Sequence, residues 1–339
     1  MSFIRFTSVS LLLFISALPL AAQVNSAVGQ VQLQDQRQQL QDTLKNAQKR
    51  AVAESNEIDI APELFTGELE DVGPQQILRQ KRKKRWLDLR LDSQFFYTSN
   101  SDLTENGTGS AMLVSSLALA VGPEVVDVRG GELRPRLGYR HQWFNYSIFG
   151  NEPGPGVVDF DVQTLYGYLQ YNTHKDWEFL AGLEYTRLVN HQPDYFSYNE
   201  FYNEFRPRVS ATRYHFISET RFIGLNYQAA YHESESPLNF ANPDDQDRFE
   251  QAMVLGYTHG FSPQLVVQPF YRLLHAHYTS NGDRDDFVHT LGVFAFYKLS
   301  DHFNLRSFFT YDLRESDLPL VPDYRKYDIG VALNFSKKF

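Results

Sequence analysis

Period-two alternation of apolar and polar residues governs the chain from Trp86 to its end. Successive side chains of a strand point to opposite faces, so each alternating run predicts a strand with one greasy and one polar side. The first run sets Leu87, Leu89, Leu91, Phe95 and Tyr97 against Asp88, Arg90, Asp92 and Gln94. Leu113, Leu117, Leu119 and Val121 mark the second. The third sets Leu133, Leu137, Tyr139 and Trp143 against Arg134, Arg136, Arg140 and Gln142. Over 158–171, Phe160, Val162, Tyr166 and Tyr168 alternate with Asp159, Asp161 and Gln163, which puts the two aspartates on the polar side. Over 177–189, Phe179, Leu183 and Tyr185 oppose Glu178 and Glu184. A less regular run at 204–217 precedes runs around 223–232, 248–257, 264–279, 286–299 and 303–314, and the last covers Tyr327 to Phe339. The pattern predicts about twelve strands, longer than is usual in globular sheets.

The connections alternate in kind. Short ones at 173–176, 218–220, 260–263 and 300–302 interleave with longer polar ones at 98–109, 146–157, 190–203, 234–247, 280–285 and 315–323. Residues 122–131 are long for the first set. Pro135, Pro207 and Pro269 fall inside predicted strands, where a missing N–H interrupts a ladder. Pro269 is central, so a bulge or a different strand boundary is expected there.

The first 85 residues follow other rules. Residues 1–22 combine Arg5, an apolar run from Ser10 to Leu20 and the small pair Ala21-Ala22, which is the pattern of a secretory signal. Leu33, Leu40, Leu44, Ala47 and Ala51 then fall at heptad spacing, and 30–55 holds neither proline nor glycine. The spacing predicts a helix within 24–55 that self-associates or docks on a periplasmic partner; a disordered polar tether is the alternative. Pro62, Gly67, Gly73 and Pro74 mark a linker that ends in the basic run Lys81 to Arg85. The chain thus divides into a signal peptide, 1–22, a helical segment with basic linker, 23–85, and the strand domain, 86–339.

Composition narrows the reading. The 339 residues include no cysteine, which excludes disulfides and thiolate metal sites. Aromatics make up 15%, with 20 Tyr and 27 Phe, as suits interfacial girdles. A net charge of −9 argues against a nucleic-acid partner. Mean hydropathy is −0.42, and after the signal no apolar run is long enough for a spanning helix. The last run carries Asp328, Gly330, Leu333 and Phe335, with aromatic Phe339 at the end. This spacing resembles the terminal strand of Gram-negative outer-membrane β-barrel proteins, in which it serves as the assembly signal; Lys337 departs from the pattern. The resemblance covers the plan of 86–339. It implies an all-β fold, an antiparallel transmembrane β-barrel of about twelve strands in the outer membrane, with periplasmic turns and external loops. It also implies the barrel-assembly machinery, outer-membrane lipid and lipopolysaccharide as partners, and it sets 23–85 in the periplasm.

In such a barrel the polar faces line the lumen. They comprise Asp88, Arg90, Asp92, Arg134, Arg136, Arg140, Asp159, Asp161, Glu178, Glu184, Arg248, Glu250, Arg306, Asp312 and Arg314. Both signs are represented. A barrel of about twelve strands is narrower than the open porins, so these groups frame either a narrow channel for small polar solutes or a cross-braced plug. A non-conducting envelope barrel that works through its helix and loops is the alternative function.

The loops offer further chemistry. Loop 190–205 gathers Tyr195, Phe196, Tyr198, Phe201, Tyr202 and Phe205 with Asp194, Glu200 and Glu204, which suits sugar stacking or an aromatic girdle. Glu233, Glu235, Asp244, Asp245 and Asp247, and Asp283, Asp285 and Asp286, are acidic enough to attract divalent cations or to stay solvated. His275, His277, Thr279 and Ser280-Asn281-Gly282 are faintly similar to the outer-membrane phospholipase motif. There histidine and serine stand two apart on one strand face, whereas His277 and Ser280 stand three apart and face opposite sides. The reading is therefore of a protein without catalytic residues, metal or cofactor.

Overall fold

The computed structural model describes residues 26–31, 33–35, 38, 86–122, 125–146, 159–173, 176–190, 199–218, 220–236, 244–280, 284–319 and 321–339. The strands are β1 (Leu87–Thr98), β2 (Ser110–Val121), β3 (Val126–Val128), β4 (Gly131–Asn145), β5 (Phe160–Thr173), β6 (Trp177–Asn190) and β7 (Asn199–Ser218). They continue as β8 (Arg221–Glu235), β9 (Arg248–Gly260), β10 (Leu265–Tyr278), β11 (Asp285–Lys298), β12 (Phe303–Ser316) and β13 (Tyr324–Lys338). Each long strand pairs antiparallel with its sequence neighbour, β2 with β4, and β13 returns to β1. The result is a closed twelve-strand barrel with no free edge. The short β3 stands outside this ring. It forms a hairpin with β4 through Arg129-Gly130, where Gly130 takes a φ of 80° that a side chain would disfavour. That hairpin accounts for the long connection at 122–131.

Register decides which residues face in. Cross-strand partners in the ring share parity, as in Gln94 opposite Ala332 and Gln142 opposite Val162, except beyond the register shifts at Val189–Glu200, Asn190–Asn199 and Ser218–Arg221. Even-numbered residues therefore face the lumen around the ring, and odd-numbered ones form the outer surface. Leu137, Leu165, Val209 and Ile329 are among the most exposed apolar groups, and together with their neighbours they form a continuous apolar belt. Trp86, Phe261, Phe303 and Phe339 ring its short-turn edge, and Tyr97, Trp143, Tyr231 and Tyr327 ring its long-loop edge. This is the outer surface of a membrane barrel, an apolar band between two aromatic girdles.

The three prolines all face outward. At Pro269 the rungs to β9 are lost, yet Val267–His259 and Phe270–Gly256 keep one register on either side. There is no bulge, in contrast to the sequence expectation, because the ladder to β11 stays continuous through Pro269–Val293. Pro269→Val is expected to restore a ladder hydrogen bond and to stabilise the barrel by about 1 kcal/mol. A higher thermal-unfolding midpoint would bear this out, and a lower one would show that the ring shapes this strand.

The closing seam is the last strand against the first. Asp88 to Thr98 pair with Lys338 to Asp328, and the Phe339 amide and carbonyl bond to Leu87 and Trp86. Asp328 lies on the lumen side within 3.3 Å of Lys326, and Leu333 faces outward. Phe335 packs 5.0 Å from the Phe303 ring, and Lys337 reaches over Phe339 at the short-turn rim. Gly330 is confined by the seam itself: a Cβ there would sit 2.3 Å from the Phe96 Cβ and 2.5 Å from the Phe95 carbonyl. Gly330→Val is expected to destabilise closure by about 1–3 kcal/mol, the usual range for overpacking. A heat-modifiability series on gels reads this as a lower melting temperature, and an unchanged one would refute it.

Residues 26–31, 33–35 and 38 form one helix, α1. Its side chains bond to inward positions of β1, β4, β7 and β13 at once. Only a helix inside the ring can reach all four strands. Twelve strands at standard spacing and tilt give a barrel roughly 24 Å across between backbones. Side chains from both walls narrow this to about 12 Å, the diameter of one α-helix.

Candidate functional site: the occupied lumen

The helix enters at the long-loop end and presents two stripes. Along one, the Ser26 hydroxyl donates to the Ser101 carbonyl at 2.9 Å, and Gln30 donates to the same oxygen at 3.3 Å. Lys326 Nζ donates to Gln30 Oε1 at 3.0 Å, and Gln94 donates to Gln34 Oε1 at 3.1 Å. Leu33 packs with Leu103 and Tyr324. Loop 99–109 reaches over the helix here, and a Cβ on Gly29 would meet Leu103 Cδ1 at 2.3 Å, so glycine lets the loop close down. The other stripe runs Val28, Val31, Asp35, Gln38 at helical spacing. Val28 and Val31 join a buried apolar cluster with Phe96, Met112, Phe144, Phe160 and Val162 of the wall. Below it, Arg140 donates to Asp35 Oδ1 at 2.6 Å and to Gln38 Oε1 at 2.5 Å, while Arg206 donates to Asp35 Oδ2 at 3.0 Å.

The wall carries a connected charge lattice. Arg206 donates to Glu184 Oε2 and Tyr168 to Glu184 Oε1, and Arg208 lies 3.2 Å from that same Oε1. Glu204, His232, Arg248, Glu250 and Arg272 continue the lattice across β7 to β10 through contacts of 3.0–3.7 Å. Arg306 donates to Gln94 at 2.6 Å and lies 3.6 Å from Asp92. Thr290 donates to Asp312 at 2.6 Å, and Arg314 lies 3.7 Å from Asp286. Tyr214 donates to Glu178 at 3.5 Å. Nearer the short turns, Asp88 takes both Arg136 and Arg90, and Arg134 pairs with Glu132 at the exposed rim.

Thirteen of the fifteen expected lumen residues thus face inward. Asp159 and Asp161 do not. The pairing of Gln142 with Val162 turns Phe160, Val162, Thr164, Tyr166 and Tyr168 inward. Asp161 lies on the outer face opposite Trp143 and 3.3 Å from His141, and Asp159 accepts from the Tyr146 amide at the strand end. Both faces of this strand hold aromatic or apolar residues, so alternation alone chose the wrong side. A second correction concerns 190–205. The strand β7 already begins at Asn199, and a register shift between Leu188 and Val189 aims both Phe201 and Tyr202 into the lumen. Phe201 packs edge-on to Phe160 at 6.2 Å. They seat the helix and belong neither to a sugar platform nor to a girdle. Tyr195, Phe196, Tyr198 and Asp194 lie outside the described residues.

The third correction is the helix. Its described part sits within the barrel and not in the periplasm, and of the heptad positions read from the sequence only Leu33 lies in it. Leu40, Leu44, Ala47, Ala51 and the linker through Arg85 lie outside the described residues. Sequence reading also missed Arg206, Arg208, Arg272 and Lys326 as inward groups. Their even numbering within paired strands was the signal, hidden until the register was known.

The loops hold less. Asp247 accepts from the Ser234 amide and hydroxyl at 2.6 and 2.9 Å, which uses it to tie the β8–β9 loop. Arg284 holds Asp286. Among the described residues no group of histidine and carboxylate side chains is arranged to hold a metal ion. His275 and His277 face outward and share Asp285 Oδ1 at 2.7 and 3.1 Å. Thr279 donates to the Asp247 carbonyl. At the outer end of β4, burial first, then the Asp159 and Asp328 carboxylates, push the Tyr146 phenol above its ordinary value, so it stays protonated.

No protein-family model matches the chain, and no curated protein matches it. Solved structures do. An outer-membrane channel from Pseudomonas putida F1 is 11% identical with a TM-score of 0.50, covering 78% of this chain and all of that one. The β-domain of the Bordetella autotransporter BrkA is 14% identical with a TM-score of 0.42, over 74% of this chain and 99% of that one. The NanC porin is 10% identical with a TM-score of 0.40, over 72% and 98%. At these identities the likeness is one of fold. The fold is that of the outer-membrane β-barrels.

Proposed function

We propose that the protein is a porin-like channel of the outer membrane for small polar solutes, with α1 as the element that fills its lumen. The observation that supports this is the charge lattice of the wall. Mixed-sign groups run from Asp88 near the short turns to Arg314 and Lys326 near the long loops. A purely structural barrel of this width could fill its interior with apolar side chains at lower desolvation cost. Solutes are then guided by paired charges, and flux requires α1 to shift. Purified protein in planar bilayers is expected to show discrete conductance steps. Silence from the unaltered chain and from variants with a loosened helix would overturn the reading. Such silence would favour the second reading, a non-conducting envelope barrel; the apolar seat of α1 is the observation on its side.

A further inference from the structure

The stripe Val28, Val31, Asp35 and the wall beneath it are complementary in chemistry as well as shape. The stripe is apolar at its upper end and carries a carboxylate about 10 Å lower, seven residues along the helix. The wall answers with an apolar patch above and two guanidinium groups below. Among the described residues Arg140 makes its hydrogen bonds to α1 alone, through Asp35 and Gln38. The Nε atoms of Arg140 and Arg206 are buried without a hydrogen-bond partner. Arg206 is only 7% exposed, and its wall partner Glu184 is shared with Arg208 and Tyr168. Without Asp35, three arginines would face one carboxylate at this level, and a buried surplus of positive charge favours an anion.

We propose that this wall is a binding site for a small carboxylate with an apolar body, and that α1 is its built-in occupant. Asp35 imitates the head of the solute, and Val31 and Val28 imitate its body. Guanidinium forks match a planar carboxylate better than a point anion, which sets the class of ligand. The inference rests on the channel reading and names the class of solute that the channel would take. The tethered helix competes with the solute, so apparent affinity falls by the fraction of time the site is covered.

Calorimetric titration of the full chain in micelles tests this, with 3-phenylpropionate as probe and neutral 3-phenylpropanol as its matched control. Two variants loosen α1 at different points. Asp35→Asn removes the carboxylate, and Val28→Glu unseats the apolar stripe while leaving the arginines untouched. Both are expected to bind phenylpropionate about tenfold more tightly than the unaltered chain, with no gain for the alcohol. Adding Arg140→Gln is expected to abolish the gain, and Arg140→Lys to retain only part of it. No gain in either loosened variant, an equal gain for the alcohol, or a gain that survives Arg140→Gln overturns the proposal. Heat-modifiable migration shows whether each barrel is closed; where Arg140→Gln does not close, a full gain in Arg140→Lys overturns it instead. Bilayer recordings of the same variants report separately on the channel. A variant that binds phenylpropionate but never conducts sinks the channel and spares the site, and one that conducts without binding does the reverse.

Discussion

Val28→Glu is expected to raise the single-channel conductance several-fold over the unaltered chain. Val28 is 4% exposed, within an apolar cluster that includes Phe96, Phe144 and Phe160. Removing its burial costs roughly 1.5–3 kcal/mol, and lodging an unpaired carboxylate there adds further desolvation. Among the described residues no arginine belongs to the apolar patch to receive the new charge; Arg140 and Arg206 lie two helical turns lower, on Asp35. Shifting a two-state equilibrium tenfold takes about 1.4 kcal/mol, which this substitution supplies. A lumen without its helix is about 12 Å wide between side chains, wide enough for hydrated small solutes. Larger or more frequent steps in planar bilayers are the expected record. Steps unchanged in size and frequency would mean that α1 is a fixed part of the wall.

Arg248→Met is expected to be the most destabilising single change in the wall. Arg248 is fully buried, donates to the Gln246 carbonyl at 3.0 Å, and lies 2.7 Å from His232 Nδ1. Its guanidinium also stands 3.4 Å from Glu204 and 3.7 Å from Glu250. Methionine fills comparable volume but leaves Glu204 without a guanidinium partner beside His232, while Glu250 keeps Arg272. Breaking a buried pair in this way costs about 3–5 kcal/mol, because the remaining charge is stranded. The thermal midpoint read by gel migration should fall accordingly. Adding Glu204→Gln should recover part of the loss, since the stranded charge is then gone. If the double variant melts below the single one, the Glu204 carboxylate serves a purpose other than pairing Arg248.

How far the sequence could be read differs by element. The outward face was legible almost everywhere, because the band facing lipid is predominantly apolar and the alternation of Leu87 to Tyr97 or Phe303 to Leu313 is clean. The inward face was legible only where it is charged. Half of it is apolar near the long loops, where Met112, Val114, Phe144 and Phe160 seat the helix. A strand with two greasy faces has no preferred side, which is why Asp159 and Asp161 were placed inward. The outward Pro269 was read as a break, yet it leaves the register intact, since an antiparallel ladder can lose rungs on one side while the other holds. At β7 the bulge that aims Phe201 and Tyr202 together depends on how β6 pairs, and neither strand records it alone.

By itself the sequence determined the class of fold: period-two strands in antiparallel order, short and long links in alternation, and a glycine-bearing last strand that closes on the first. These are local properties, fixed by side-chain direction and turn chemistry. The tertiary structure decided the parity of the wall, the lattice joining Glu204 to Arg272, and the place of α1. An amphipathic helix states only that it needs a partner surface. Which surface it takes follows from the width of a twelve-strand ring, which leaves room for one helix, and from two arginines set 66 residues apart that meet on one aspartate.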